Sequence, residues 1–483
     1  MTYARPMLKR CKVGRSNFAA PFLETLQPCK TKDILIGLII FLAAFAVFAS
    51  LNTEALANGD AAVYLQQMQN LNFTDRPVHL GYYLLGAGFI RLLPGSDDYA
   101  VNLMNCFLGA LSIMLVYFIT FTICHKHIPA IVASLLLFTH YMFLEYSFYA
   151  EVYIPQVCFL LLSILLWLLN KPILAALSFL LSFLITPSAI LALPCFLILR
   201  PRLRPLLLFC AIFAISAAVI IFPFRQSYFF GSRGLFEAAS RPFNLGWALF
   251  KEGREILFGF FLCVPLVVAG LLETFGRKKF RPFAFALLIL WLVTLFSAEK
   301  IKDVPPQLPA YAMLCVVGGL GFGLILRILD SKIHIKFAVY AAVIFAVFIN
   351  SLCAFKGTWS FIKYNNVYRN TAIQISRVAD PGYLVLGNWD KGVLFEHYVF
   401  QKLFTPYWIN LEWLDGACGR DQQGKSIEKL RQAAAAHRQI WLLEYHRVAM
   451  TNLQQNGYKI TRFDSAQFDP EGLVSIYVAN AEK

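Results

Sequence analysis

Little in this chain is charged. Only 15% of its 483 residues are Asp, Glu, Lys or Arg, against 58% hydrophobic, and the mean hydropathy is +0.60. A soluble domain carries roughly a quarter charged residues, so that class is excluded. Metal-binding and disulfide patterns are missing too: the eleven cysteines form no CxxC pair and no Cys/His ligand spacing. Most lie inside apolar runs, as Cys106, Cys158, Cys210 and Cys263 do, which excludes a zinc finger or a disulfide framework. No glycine-rich phosphate fingerprint and no clear internal repeat occurs. Acidic residues are the scarcer sign, 28 against 43 basic, for a net charge of +15. Much of that excess sits in short segments beside hydrophobic runs, the bias that orients membrane proteins, so nucleic acid is not an expected partner.

What is present is a series of apolar runs of membrane-spanning length, from about Asp33 to about Lys356. The expected fold is a polytopic α-helical membrane protein with a small C-terminal extracytoplasmic α/β domain. Three parts follow: a cytoplasmic basic tail at 1–32, a transmembrane domain at 33–356 and the α/β domain at 357–483. The run from Ile34 to about Leu51 is long for a signal-peptide core and lacks a small-residue cleavage site, so it is expected to remain as an anchor. Spans are expected at 33–53, 100–123, 129–147, 153–169, 172–185, 187–199, 206–223, 255–275, 283–298, 308–328 and 337–356, about eleven in all. The fifth and sixth are short and meet at Thr186-Pro187, leaving open one re-entrant pair instead of two crossings.

With a cytoplasmic start, the connectors His125-Lys126-His127, Asn170-Lys171-Pro172, Arg200–Pro205, Arg277–Pro282 and Asp330–Lys336 fall inside, and each is short and basic. The opposite face receives the loop from Glu54 to Tyr99, the Ser147–Val152 and Phe224–Arg254 loops, the Glu299–Gln307 loop and the C-terminal domain. Compact loops suit a bacterial inner membrane, while Asn72-Phe73-Thr74 would be a glycosylation acceptor in an endoplasmic reticulum. In the first loop, 60–70 and 80–93 read as helices too short to cross, lying in the interface. After Trp359, YLVLGN, KGVLFEHYVFQKL, SIEKLRQAAAAHR, QIWLLEY and LVSIYVA alternate strand and helix patterns. The turn at Gly387-Asn388-Trp389-Asp390 ends the first strand, where α/β folds place ligands.

Carboxylates at the water-facing mouths of apolar runs are the best lead to chemistry. Asp60 follows Gly59 at the start of the first interfacial helix, where a helix N-terminus favours the ionised form. There it could take a proton from an attacking hydroxyl, or it could be an ordinary N-cap. Glu151 sits among Tyr146, Phe148, Tyr149 and Tyr153, near Glu145; the aromatics fit an interfacial belt, but a carboxylate facing lipid is costly, so Glu151 is expected to face a polar cavity. His79 shares a loop with Arg76 and Pro77, and Tyr64, Arg76, Tyr82 and Tyr153 are candidate cavity or acceptor residues. A lipid phosphate needs cations on the same face, and Arg225, Arg233, Arg241, Arg254, Lys300 and Lys302 are available. Arg225 lies nearest a span end.

Gly59-Asp60, HLGYYLLGAGFIRLLPG at 79–95, VNLMN at 101–105 and FYAEVYIPQ at 148–156 occur in the order and spacing of the protein O-mannosyltransferase-like family, which the chain resembles over about its first 160 residues. The family belongs to the GT-C superfamily of glycosyltransferases using polyprenyl-phosphate sugars. LVLGNWDKGVLFEHYVF at 384–400 resembles a stretch of its soluble region. The resemblance implies a catalytic Asp60, a second acidic position at Glu151, and His79 in place of the histidine opening a His-Pro-Pro-Gly-Tyr segment; Leu80-Gly81 departs from its two prolines.

The function then expected is sugar transfer from a polyprenyl-phosphate donor to a hydroxyl of a protein, lipid or glycan on the extracytoplasmic face, with inversion. Glu151 would orient the acceptor or, with Asp60, hold a divalent ion; two carboxylates do not identify a metal. A flippase or transporter of lipid-linked saccharides and a polysaccharide polymerase or ligase are the alternatives, the second favoured by the arginines of 224–254.

Overall fold

The structure, a computed structural model, describes residues 31–71, 79–199, 203–225, 244–278, 280–301, 307–329 and 333–378. Of the C-terminal part it describes 384–387, 394, 397–398, 407–410, 427–428, 430–432, 435, 439–444, 446–463 and 476–481.

The chain opens with α1 (Thr31–Leu51), followed by the two loop helices α2 (Gly59–Asn70) and α3 (Leu80–Leu92). Then come α4 (Asp97–Cys124), α5 (His127–Phe138), α6 (Tyr141–Tyr146), α7 (Tyr153–Leu168) and α8 (Pro172–Ile185). A 3-10 stretch, Pro187–Ala192, leads into α9 (Leu193–Leu199), and α10 (Leu203–Ile221) follows. The last membrane-domain helices are α11 (Leu245–Phe260), α12 (Val264–Gly276), α13 (Arg281–Ile301), α14 (Leu308–Ile328) and α15 (Ile333–Val378).

Every segment expected to span is helical, but the expected count of about eleven full crossings is corrected. Among the described residues six helical stretches are long and apolar enough to cross a bilayer: Thr31–Leu51, Asp97–Cys124, Leu203–Phe224, Leu245–Gly276, Leu308–Ile328 and His334–Val378. An apolar run of sufficient length need not be one helix. The run at 129–147 breaks at Thr139–His140 into α5 and α6. At 14 residues, α8 rises about 21 Å, short of the roughly 30 Å hydrocarbon layer. Pro187 has no N–H with which to continue it, and a 3-10 turn follows instead. Between α11 and α12 the backbone turns at Phe261, whose φ is 37°.

The long α4, 28 residues, and α14 run through the middle of the bundle and bury most of their length, whereas α1, α10 and α15 present apolar side chains such as Leu38, Ile215 and Phe345 outward. Small residues bring α12 and α14 into backbone contact: a Cβ on Gly270 would lie 1.9 Å from the Val317 carbonyl oxygen, and one on Gly321 2.0 Å from that of Leu266. Such crossings suit a membrane interior, where association relies on close packing.

The single 46-residue α15 continues past 356 to Val378, so residues 357–378 extend the last membrane helix before the sheet begins. Five strands follow: β1 (Leu384–Gly387), β2 (Tyr407–Asn410), β3 (Gln439–Leu442), β4 (Tyr458–Arg462) and β5 (Tyr477–Ala481), with α16 (Arg447–Gln455) before β4. Their order is β2-β1-β3-β5-β4. β1 pairs in parallel with β2 and β3, while β5 runs antiparallel to β3 and β4. The α/β character matches the alternating pattern. Residues 388–390 of the expected ligand turn lie outside the described residues.

Candidate active site

The segment between α1 and α2 buries Ala55 and Leu56, and hydrogen bonds from neighbouring elements fix its backbone. Asn102, near the start of α4, donates from Nδ2 to the carbonyls of Thr53 at 2.9 Å and Ala55 at 3.0 Å. One turn further on, Asn105 donates to the carbonyl of Glu151 at 2.7 Å and also to that of Tyr149. Residues three apart share a helix face, so two buried carboxamides on one face of α4 hold the loop leading to Asp60 and the loop carrying Glu151. Both side chains are fully buried.

Asn58 closes the arrangement. It is the N-cap of α2: its Oδ1 accepts from the Ala61 N–H at 2.8 Å, while its Nδ2 donates to the carboxylate of Glu151. The capping role open to Asp60 is therefore taken by Asn58, and Asp60 stands in the first turn. Two peptide units into the helix, its carboxylate sits in the positive end of the helix field. Glu151 is 4% exposed.

Tyr64, one turn along α2, is where these groups converge. Its ring lies edge-on to His79 at 5.3 Å and to Tyr82 at 5.5 Å. Burial pushes its phenol well above the usual range, and the charges of Glu151 and Asp60, then Tyr153 and Tyr83, raise it further. Tyr82 shifts the same way, from burial and then the charge of Glu151. Its hydroxyl is buried with no hydrogen-bond partner among the described residues. Such a group costs about 1–3 kcal/mol. His79 joins its Nδ1 to the Ile185 carbonyl at 2.7 Å; a carbonyl only accepts, so Nδ1 carries hydrogen and Nε2 is the basic nitrogen of the neutral ring. The structure thus brings together Asp60, Glu151, His79, Tyr64, Tyr82 and Tyr153.

Two of the expected phosphate cations, Arg225 and Arg254, have their side chains among the described residues. Arg225 is exposed, donates to the Phe222 carbonyl at 3.2 Å and stacks 4.6 Å over the Phe222 ring. Arg76, Arg233, Arg241 and Lys302 lie outside the described residues, and Lys300 is in the last turn of α13. Arg254 borders a cavity of about 320 Å³ with Tyr141, Glu145, Glu255, Asn350 and Thr358. Its guanidinium holds Glu255 through Nη2 at 2.6 Å and Nε at 3.1 Å, and Tyr141 donates to the same carboxylate. Next to it, Tyr311 bonds Glu252 at 3.1 Å. Glu145 on this cavity precedes the loop Ser147–Val152 that carries Glu151.

Asn58, Asn102, Asn105 and the Glu252/Glu255 cluster have no role assigned by sequence reasoning. The signals were there: VNLMN places two amides one turn apart, and KEGRE at 251–255 sets four charges inside an otherwise apolar helix. As for a metal, among the described residues no group of three or more His, Cys, Asp or Glu side chains could hold an ion. Asp60 and Glu151 supply two carboxylates, one of them engaged by Asn58, so a divalent ion would need most of its oxygen ligands from substrate and water.

No family model matches the chain, and none of the curated proteins does. Solved structures do match. The oligosaccharyltransferase of Archaeoglobus fulgidus, crystallised with Zn and sulfate, superposes with a TM-score of 0.57 at 14% identity, over 84% of this chain and 68% of that one. ArnT from Cupriavidus metallidurans matches over 94% of this chain and 99% of its own. Its undecaprenyl phosphate complex gives a TM-score of 0.58 at 9% identity, and its apo state 0.60 at 12%. The chain shares their fold. At these identities the likeness reaches the architecture, many apolar helices followed by a small C-terminal domain, and no individual residue.

Proposed function

We propose that the protein is a membrane glycosyltransferase of GT-C type that moves a sugar from a polyprenyl phosphate to an acceptor hydroxyl on the extracytoplasmic face. The observation that carries this reading is the Asn58 bridge between Glu151 and the first turn of α2, where Asp60 stands, under the clamp of Asn102 and Asn105, in a fold shared with an oligosaccharyltransferase and with a protein crystallised with undecaprenyl phosphate. The acceptor hydroxyl attacks the anomeric carbon as its proton passes to the Asp60 carboxylate. The bond from that carbon to the phosphate oxygen breaks, and polyprenyl phosphate leaves with the electron pair. One displacement inverts the anomeric centre.

Glu151 is a positioning residue: through Asn58 it fixes the first turn of α2 and hence Asp60. The buried Tyr82 hydroxyl gives a sugar or acceptor hydroxyl a partner, and His79 Nε2 is a second polar contact. Arg254, at the mouth of its cavity, is the described cation best placed for the departing phosphate; Arg225, Arg233, Arg241, Lys300 and Lys302 remain candidates for the rest of that site. A positive group there stabilises charge as it develops. A divalent ion completed by donor phosphate oxygens would add to that stabilisation. The acceptor is a protein, lipid or glycan, the narrower resemblance is to O-mannosyltransferases, and the proposed setting is a bacterial inner membrane with the N-terminus inside and the sheet domain outside.

Reconstitution in vesicles loaded with a radiolabelled polyprenyl-phosphate sugar tests the reading. Transfer of label to a water-soluble or lipid acceptor supports it; movement of the labelled lipid between leaflets without transfer would establish a flippase instead. Transfer abolished by Arg225→Gln with Arg254→Gln yet untouched by Asp60→Asn would favour polymerase or ligase chemistry.

A further inference from the structure

A second polar pocket lies at the other end of the bundle. From Asn105 to Cys124 α4 advances roughly 29 Å, about the thickness of a hydrocarbon layer, and at that far end Cys124 and Lys126 meet α12 and α14 around a cavity of about 120 Å³. Glu273, 5% exposed, organises it. Its Oε1 receives Arg277 Nε at 2.8 Å and Arg327 Nη2 at 3.0 Å. The close crossing at Gly270 and Gly321 sets Glu273 and Arg327 opposite one another, and Gly323 and Pro129 line the cavity beside them.

One guanidinium would neutralise one carboxylate. Among the described residues lining the cavity, Arg277, Arg327 and Lys126, three positive charges, surround one negative charge, Glu273, a balance of +2. Lys278 and Arg281 stand beside them in sequence. The guanidiniums are 41% and 37% exposed, open to a ligand, yet held in place by a buried carboxylate. Beside this polar cradle the surface turns apolar at once: Leu272 and Phe275 on α12 and Ile328 on α14 are 68%, 42% and 70% exposed. Cations above an exposed aliphatic band match an amphiphile with an anionic head, and basic pockets between membrane helices commonly hold such heads.

We propose that this pocket binds the phosphodiester headgroup of an anionic glycerophospholipid, its acyl chains lying along Leu272, Phe275 and Ile328. The site is separate from the sugar-transfer site and does not depend on that reading. Native mass spectrometry of the full-length protein in detergent, titrated with phosphatidylglycerol or phosphatidylcholine, tests it. Phosphatidylglycerol is expected to bind at least tenfold more tightly. At about a fivefold effect per basic residue near a membrane surface, Lys126→Gln weakens it about fivefold. The triple variant Glu273→Gln, Arg277→Gln, Arg327→Gln, which leaves no buried charge unpaired, removes two positive charges and one negative, a net loss of one, and weakens it about fivefold by the same factor, with phosphatidylcholine unaffected in both. Because Lys126 is in no ion pair with a buried carboxylate among the described residues, its variant carries the test if the triple one does not fold. Equal binding of the two lipids, or phosphatidylglycerol affinity unchanged by the substitutions, would overturn the proposal. Competition by inorganic phosphate as potent as by phosphatidylglycerol would reassign the pocket to a free anion.

Discussion

The Asn58 side chain joins the first turn of α2 to the carboxylate of Glu151, accepting from the Ala61 N–H on one side and donating to Glu151 on the other. Two residues 93 apart in sequence are thereby locked together, and the loop that ends in Asp60 cannot shift without breaking one of the two bonds. Asn58→Ala is expected to cost about 0.5–2 kcal/mol through the lost cap and to lower kcat. Asn58→Asp keeps the cap acceptor but sets a second carboxylate against Glu151, so it should keep most of the stability while losing activity. Thermal unfolding and transfer rates measured on both variants separate these effects.

Asn102 and Asn105 donate to four carbonyls, those of Thr53, Ala55, Tyr149 and Glu151, of which Tyr149 also accepts from the Glu151 N–H. Replacing either by Leu keeps the volume and removes the donor, leaving buried carbonyls unpaired at about 1–3 kcal/mol. Lower unfolding temperatures are expected for both, with the larger fall in kcat for Asn105→Leu, which frees Glu151.

Tyr64 and Tyr82 both have phenols raised by burial and then by the charge of Glu151. A raised acid in the folded state contributes stability that is complete below the unfolded value, near 10.0, and lost as pH climbs above it. Alkaline unfolding should begin above about pH 10, and Tyr64→Phe should make it shallower, by up to about 1.4 kcal/mol per pH unit in that range. A scan of unfolding temperature against pH checks this, and an unchanged slope would count against burial of the ionisable phenol.

The end of α15 and the C-terminal domain reach back to the segment before α2 and to the start of α4. The Leu56 N–H donates to the Tyr398 hydroxyl at 2.8 Å, Arg369 pairs with Glu54 at 2.6 Å, and His397 Nε2 meets Asp98 at 2.9 Å. Tyr398→Phe leaves the buried Leu56 N–H without its acceptor, so transfer should slow several-fold although the sheet stays folded. Limited proteolysis together with a transfer assay distinguishes this from loss of the domain.

Helix positions were legible because membrane helices announce themselves by apolar length, α2 by its amphipathic pattern and α3 as an apolar run too short to cross. Their continuity was not: the break at Thr139–His140 and the extension of α15 to Val378 depend on packing partners that no local window contains. In the sheet, β1, β3 and β5 carried recognisable apolar runs, whereas the short β2 and the half-exposed β4, with Lys459 and Arg462, did not. At the site, Asp60, His79 and Glu151 stood out as polar groups in apolar surroundings. Asn58, Asn102 and Asn105 escaped notice because an amide shows its role only through the carbonyl or carboxylate it meets across the fold. Arg225 looked favourable for its place at a span end, yet its guanidinium rests on Phe222.

The most direct test of the central claim is the rate of sugar transfer by Asp60→Asn beside wild type, in the same vesicles and with donor saturating. Asn keeps the shape and removes the base, and general-base catalysis supplies about 10²–10⁴-fold. A fall in kcat of at least about 100-fold, with donor binding within a few-fold of wild type, is the expected result; transfer at the wild-type rate would contradict the role of Asp60.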